Sequence, residues 1–201
     1  MIRVFRGFER EDNSLLFQAM YNQRALALIA ASQGRPEWRD GGQDPWDRED
    51  AVYLMAFDAD QRLTGSVRLM SSLGPHFLSD PSQTSFPHVR FSMPSLWEAS
   101  RFSFSAETSP LRNRVPAAAG ELLFGLCRFG LDYGLSRIAS VYDAELMGLW
   151  RRCGVPVVEI GRATTPEGRV LFVGTVEISE ALETAIGEAT GLQWEVPKQA
   201  A

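Results

Sequence analysis

Apolar positions follow two different periods along this chain, and the switches between them mark out the elements. Residues 2–5 form a short apolar segment that reads as an edge strand. A helical period runs over 13–31, with Leu16, Met20, Leu26 and Ile29 as expected core positions, and Gly34-Arg35-Pro36 ends it. Residues 35–50 have no period. Pro36, Gly41, Gly42 and Pro45 break them up, and they read as a long loop of the kind that carries function. Strands are expected over 52–58 and 63–70, joined by a hairpin turn at Ala59-Asp60-Gln61-Arg62. After a proline-rich loop, residues 97–104 alternate again as a third strand. Residues 117–135 give the clearest helix, with a stripe through Leu122, Leu126, Phe129 and Tyr133 and Pro116 at its start.

The second half alternates strand and helix. A strand is expected over 137–142, a helix over 144–153 stopped by Gly154, and strands over 155–160 and 169–178. Ser179 is placed to cap a final helix to about residue 189, and 190–201 read as a frayed tail. Antiparallel strands followed by a strand–helix–strand unit describe one α/β domain over 1–201, a mixed sheet with helices on both faces. Where such a sheet parts, a ligand cleft can form.

The stretch Trp97-Glu98-Ala99-Ser100-Arg101-Phe102-Ser103-Phe104 organises the rest. Strict alternation puts Glu98, Ser100, Phe102 and Phe104 on one face and Trp97, Ala99, Arg101 and Ser103 on the other. One charge must then enter the layer beneath the sheet, where it needs a partner. For Glu98 and Arg101 to serve one site, the strand must twist or bulge between them, or one must act from the far side.

Composition narrows the function. The 201 residues carry a net charge of −5 with no basic block, which does not suggest nucleic-acid binding or stable membrane association. The first residues hold no long apolar run, and no segment approaches the roughly 18 apolar residues of a membrane helix, so a cytoplasmic chain is expected. Cys127 and Cys153 fit no metal spacing and read as reduced thiols. His76 and His88 fit no zinc or nucleophile pattern, and no metal is expected. A P-loop, a glycine-rich dinucleotide turn and a nucleophile elbow are all missing. What remains is a set of charges on or beside the strands: Arg24, Asp44, Asp47, Arg68, Glu98 and Arg101. Arginines near carboxylates pair and hold their geometry, so these residues form either a stabilising ion network or a functional site.

In chain order these pieces resemble the acyl-homoserine lactone synthases, the autoinducer synthases of bacterial quorum sensing. Arg24 lies in the first helix, Asp44-Pro45-Trp46-Asp47 resembles the family's Asp-x-aromatic-Asp, and Gly65-Ser66-Val67-Arg68-Leu69 its Gly-x-x-Arg-Leu. Gly74-Pro75-His76-Phe77-Leu78 resembles the following loop. Trp97-Glu98-Ala99-Ser100-Arg101-Phe102 matches Trp-Glu-x-Ser-Arg-Phe, the most specific piece, and Leu149 to Gly154 followed by Pro156 resembles the later helix end. The resemblance implies a three-layer α/β/α sandwich related to the N-acetyltransferases. It also implies acyl transfer from a thioester, on acyl-carrier protein or coenzyme A, to the amine of S-adenosylmethionine. Lactonisation then releases 5′-methylthioadenosine. S-adenosylmethionine is a co-substrate, and no separate cofactor is implied.

On that resemblance Glu98 is the expected base, through a water. Asp44 and Asp47 would hold the ammonium and sulfonium end, Arg101 and Arg24 the carboxylate or the acids around it, and Arg68 would lock the network. Trp46, Phe102, Ser103, Ser140, Tyr142, Leu146 and Trp150 are expected to touch substrate, with Tyr142 and Trp150 favouring a short, branched or aromatic acyl group. Arg128, Arg151 and Arg152 are expected to dock an acidic carrier. The family's aromatic residues four and ten positions after the arginine are replaced by Leu28 and Gly34, a departure in the region that packs on S-adenosylmethionine; Trp38 or Trp46 can substitute. Two alternatives stand beside this reading: an N-acyltransferase using another amine such as an amino acid, and a non-catalytic domain that binds an acylated ligand or partner.

Overall fold

The computed structural model describes residues 1–31, 42–80, 86, 88–105, 112–165 and 168–193, without the side chains of 28–31. The expectations placed on Leu28, Ile29, Gly34, Trp38 and residues 194–201 therefore lie outside what is described. Seven strands form one mixed sheet: β1 (Ile2–Arg6), β2 (Val52–Phe57), β3 (Leu63–Ser71), β4 (Leu96–Phe104), β5 (Arg137–Tyr142), β6 (Val158–Thr164) and β7 (Val170–Glu177). Their spatial order is β1-β2-β3-β4-β5-β7-β6. All neighbours are antiparallel except β4 and β5. One face carries α1 (Ser14–Ala31). The other carries α2 (Ala117–Asp132), α3 (Ala144–Arg152) and α4 (Glu180–Thr190).

The central strands read as near-continuous apolar runs because both faces are covered. On the α1 face, Tyr53, Met55, Phe57 and Met70 pack against Phe17, Met20 and Tyr21. On the opposite face, Val52, Leu54, Val67 and Leu69 meet Leu122, Leu126 and Phe129 of α2 and Leu182 and Ile186 of α4. Ser179 caps α4 as expected, its hydroxyl accepting the Leu182 N–H. Two expected core positions move outward. Leu26 is 70% exposed, because Arg24 fills the buried stripe of α1. Tyr133 lies beyond the end of α2 and is half exposed, stacked on Phe129. The strand expected over 155–160 starts at Val158. Val155 is instead buried behind α3, its N–H donating to the Trp150 carbonyl. Gly154 turns the chain there at φ +75°, so close to α4 that a Cβ would meet the Ala185 carbonyl oxygen at 2.8 Å.

Two irregularities at the centre of the sheet position the site. The parallel ladder of β4 and β5 runs only from Leu96↔Arg137 to Ala99↔Ser140, and beyond it the strands part. The β3–β4 register shifts between Ser66↔Ser103 and Arg68↔Ser100, so Arg101 and Phe102 both sit opposite Val67. Arg101 takes φ +57°, the left-handed conformation of a bulge residue. The expected alternation is thereby corrected. Glu98 and Ser100 face α1 beside Met70 and Arg68, whereas Phe102 and Phe104 pass to the α2 face with Trp97. The bulge brings Arg101 back to the same side as Glu98.

Candidate active site

The side chain of Arg24 points from α1 into the sheet and is 1% exposed. Its Nη1 donates to both Asp47 oxygens, at 2.9 and 2.7 Å, and to the Gly42 carbonyl. Asp47 also accepts from Arg68 Nη1 at 3.1 Å, from the Tyr53 hydroxyl at 2.9 Å and from the Asp44 backbone N–H at 2.8 Å. Both Asp47 oxygens are thus occupied. Asp44 accepts from Arg68 on one oxygen and Arg101 on the other, and its first oxygen also caps the Trp46 N–H. Arg68 completes the network through its Nε on the Ser100 hydroxyl at 3.2 Å. Asp44, Asp47, Arg24, Arg68 and Arg101 therefore form one connected assembly from α1, the 42–50 loop, β3 and β4. Tyr53 is a member that the sequence reading did not single out, since a tyrosine within an apolar strand looks like core.

Burial pushes the Asp44 carboxyl upward, but Arg101 and Arg68 overcome that and hold it at about 2. This sets a pH dependence. The folded value lies below the ordinary carboxylate value, so the stabilisation is complete above about pH 4 and lost as pH falls toward 2. Thermal melts of the wild type and Asp44→Asn should differ most above pH 4 and converge toward pH 2. A gap that stays constant over that range contradicts the assignment.

Glu98 stands apart from the network, 1% exposed, on the floor of the opening between β4 and β5. Its Oε2 accepts the Leu78 N–H at 2.8 Å, while its Oε1 is buried with no hydrogen-bond partner. Burial raises its pKa, opposed by the Leu78 and Phe77 N–H groups and by the charges of His76 and Arg68. A buried carboxyl with one oxygen held and one free, shifted toward neutrality, suits proton transfer.

The opening itself is a cavity of about 590 Å³ lined by Arg68, Glu98, Ser100, Arg101, Phe102 and Tyr142, among others. Leu146, Arg152 and Arg169 line it further out. A second, apolar cavity of about 30 Å³ lies on the α2 face, between Phe102, Ser140, Trp150, Cys127 and Leu126. Phe102 borders both. Tyr142 packs on Trp150 and stacks on Phe172, with ring centroids 5.1 and 5.7 Å apart. Ser103 borders neither cavity; its hydroxyl lies 3.2 Å from that of Ser66. The backbone of Trp46 is held by Asp44, but its side chain lines neither cavity. Arg128 is neutralised on α2 by Asp132 and by Glu183 of α4, and of the three arginines expected to dock a carrier only Arg152 lines the main cleft. Arg169, tied to Asp143 at 3.0 Å, joins it there. Both cysteines are buried and their thiols are pushed up to about 11 by burial, which leaves them unreactive. Among the described residues, no cluster of His, Cys, Asp or Glu is arranged to hold a metal, and no helix is long and apolar enough to cross a membrane.

The family model described as autoinducer synthase matches residues 31–186, most of the chain. The chain belongs to the autoinducer synthase family. An acyl-homoserine-lactone synthase of Rhizobium etli is 30% identical over 186 residues, covering 89% of this chain and 85% of its own. Another, of Ralstonia nicotianae, is 28% identical over 156 residues and covers 72% of each. The fold agrees with that of two solved autoinducer synthases. MesI, a CoA-dependent acyl-homoserine lactone synthase, superposes with a TM-score of 0.77 at 20% identity over 100% of both chains. BjaI, a CoA-dependent synthase solved with SAM and isopentyl-CoA, gives 0.73 at 21% identity over 96% of this chain and 90% of its own. An N-acetyltransferase fold from Lactobacillus plantarum, at TM-score 0.56 and 12% identity, shows the wider architecture, covering 89% of this chain and 99% of its own. As an autoinducer synthase the protein is an acyltransferase that makes acyl-homoserine lactone.

Proposed function

We propose that Glu98 is the base that frees the amine of S-adenosylmethionine for attack on an acyl thioester held in the β4–β5 opening. The observation that carries this is the unpartnered Oε1 of Glu98, buried at the floor of a 590 Å³ cleft and next to a charge network that fixes its surroundings. The substrate enters as an ammonium. Glu98 takes its proton, directly or through a water, and the amine then adds to the thioester carbonyl. The β4 edge beyond Ala99 has no β5 partner, so its backbone N–H groups are available to the developing oxyanion. Collapse forms the amide and expels the thiol. In the second step the methionine carboxylate attacks its own γ-carbon, the ring closes, and 5′-methylthioadenosine leaves with the bonding pair. Proximity and a good sulfonium leaving group drive that step.

The saturated contacts of Asp47 give it a different task from the one the sequence suggested. It anchors Arg24, Arg68 and Tyr53, and it has no oxygen left for an ammonium. Arg101, 20% exposed at the cleft, is the member best placed to meet the substrate carboxylate. The acyl chain takes the apolar cavity beyond Phe102. The small size of that cavity, with Trp150 and Tyr142 packed together, favours a short group over a long one. Arg152 and Arg169 face the phosphopantetheine portion shared by coenzyme A and carrier-protein donors.

A donor panel tests this. Short, branched, aromatic and long acyl groups are offered on coenzyme A and on acyl-carrier protein, with S-adenosylmethionine as acceptor. Short or branched donors should give the highest kcat/KM, and Trp150→Leu should raise the long-to-short ratio by roughly tenfold, as one or two methylenes of pocket room allow. A wild type that prefers long chains, or a ratio unmoved in the variant, rejects this acyl pocket. The two carriers separate the donor sources.

A further inference from the structure

Tyr53 carries the one hydroxyl on an otherwise apolar strand, Val52-Tyr53-Leu54-Met55-Ala56-Phe57. Its side chain is buried on the α1 face beside Met55 and Phe57, and its ring meets that of Phe17 edge-on, with centroids 5.2 Å apart. A phenylalanine would fill the same space without the cost of burying a hydroxyl, so the hydroxyl has a task that packing does not set. It donates to Asp47 Oδ1 at 2.9 Å. Burial and the charge of Asp47 push its pKa far up, so it stays a donor at every working pH.

The oxygen it reaches is crowded. Asp47 Oδ1 accepts from Arg24 Nη1 at 2.9 Å, from Tyr53 at 2.9 Å and from Arg68 Nη1 at 3.1 Å, the longest of the three. The same Nη1 of Arg68 makes a shorter contact with Asp44 Oδ1. Arg68 is thus shared unequally between two aspartates, and Asp44 has the firmer hold. Asp44 in turn uses its other oxygen to hold Nε and Nη2 of Arg101, at the bulge where Arg101 takes φ +57° and lines the cleft.

We propose that Tyr53 is a positioning residue for the acceptor: by occupying Asp47 Oδ1 it keeps Arg68 on Asp44, and so keeps Asp44 aligned to aim Arg101 at the substrate carboxylate. The inference rests on the reading that Arg101 meets that carboxylate. A carboxylate oxygen offers about two lone-pair sites, fewer than the donors gathered here. Removing the neutral donor lets Asp47 draw Arg68 closer, because a guanidinium is the stronger, charge-assisted partner. Asp44 then loses part of its hold on Arg68 and its orientation loosens. Arg101, bound to Asp44 by two nitrogens, moves with it.

Tyr53→Phe removes the hydroxyl and keeps the ring. Asp47 Oδ1 retains Arg24 and Arg68, so no buried charge loses its partner, and the variant should fold and melt close to the wild type. KM for S-adenosylmethionine should rise by roughly 3- to 10-fold, the worth of one hydrogen bond, while kcat and KM for the acyl donor stay near those of the wild type. A purely structural role would move both KM values together or only the melting temperature, and either result overturns the proposal. A double-mutant cycle with Arg101→Gln shows whether the effect travels through Arg101. Arg101→Gln alone should raise the acceptor KM by about tenfold or more, and Tyr53→Phe should add nothing in that background. Full additivity of the two contradicts the relay. If Arg101→Gln raises the acceptor KM and Tyr53→Phe leaves it unchanged, the carboxylate reading stands and this inference alone fails. If Arg101→Gln leaves the acceptor KM unchanged, both fail.

Discussion

Glu98→Gln should fold and melt like the wild type yet lose kcat by roughly 100- to 10,000-fold, the range supplied by a positioned general base. The substitution preserves size and leaves an amide oxygen to accept the Leu78 N–H, so the turn at 77–79 keeps its anchor. It also removes a charge that sits in a dry environment, which should cost no stability. KM for both substrates should change little, because the arginine–aspartate network proposed to surround the acceptor is untouched. A variant with nearly unaltered kcat would reject Glu98 as base. A variant with a raised KM and a normal kcat would make it a binding residue instead.

Asp47→Ala should have the opposite signature, a structural collapse of the site. Removing this side chain leaves Arg24 and Arg68, each 1% exposed, partly uncompensated, and strips partners from the Tyr53 hydroxyl and the Asp44 N–H. Breaking a buried ion pair in this way costs about 3–5 kcal/mol. In a chain of this length that is a fall in Tm of roughly 6–20 °C. Asp60→Ala is the control: its Arg62 contact at 3.7 Å is fully at the surface, and the melt should barely move. Calorimetry on the pair decides the point. A fall of less than about 3 °C for Asp47→Ala would mean that the network is not the keystone of this face.

Much of this architecture is written in periodicity. The six-residue strand Arg137–Tyr142, the hairpin before Leu63 and the Ser179 cap all appear where local residue chemistry puts them. The mixed sheet follows from antiparallel strands preceding a strand–helix–strand unit. The departures have a common cause, in that each depends on contacts distant in sequence. A bulge at Arg101 cannot be read from residue types, since a non-glycine at φ +57° is held there by pairing with Asp44, 57 residues away. With it went the assignment of Phe102 and Phe104, which alternation put beside Glu98 and the bulge carries to the α2 face. Arg128 looked like a docking residue because its ion partner on α4 lies 55 positions downstream. Asp44, Asp47, Arg68 and Glu98 were legible as a set through their chain order alone, while their division of labour required knowing which oxygens are occupied.

The central claim is that this cleft joins an acyl thioester to S-adenosylmethionine and closes the lactone. The most direct measurement is product stoichiometry: wild-type protein with S-adenosylmethionine and a short branched acyl-coenzyme A, with released thiol and 5′-methylthioadenosine quantified in the same sample. Equal amounts of the two, formed only when both substrates are present, are the expected result. Thiol released without methylthioadenosine would contradict it and assign the cleft to a different amine.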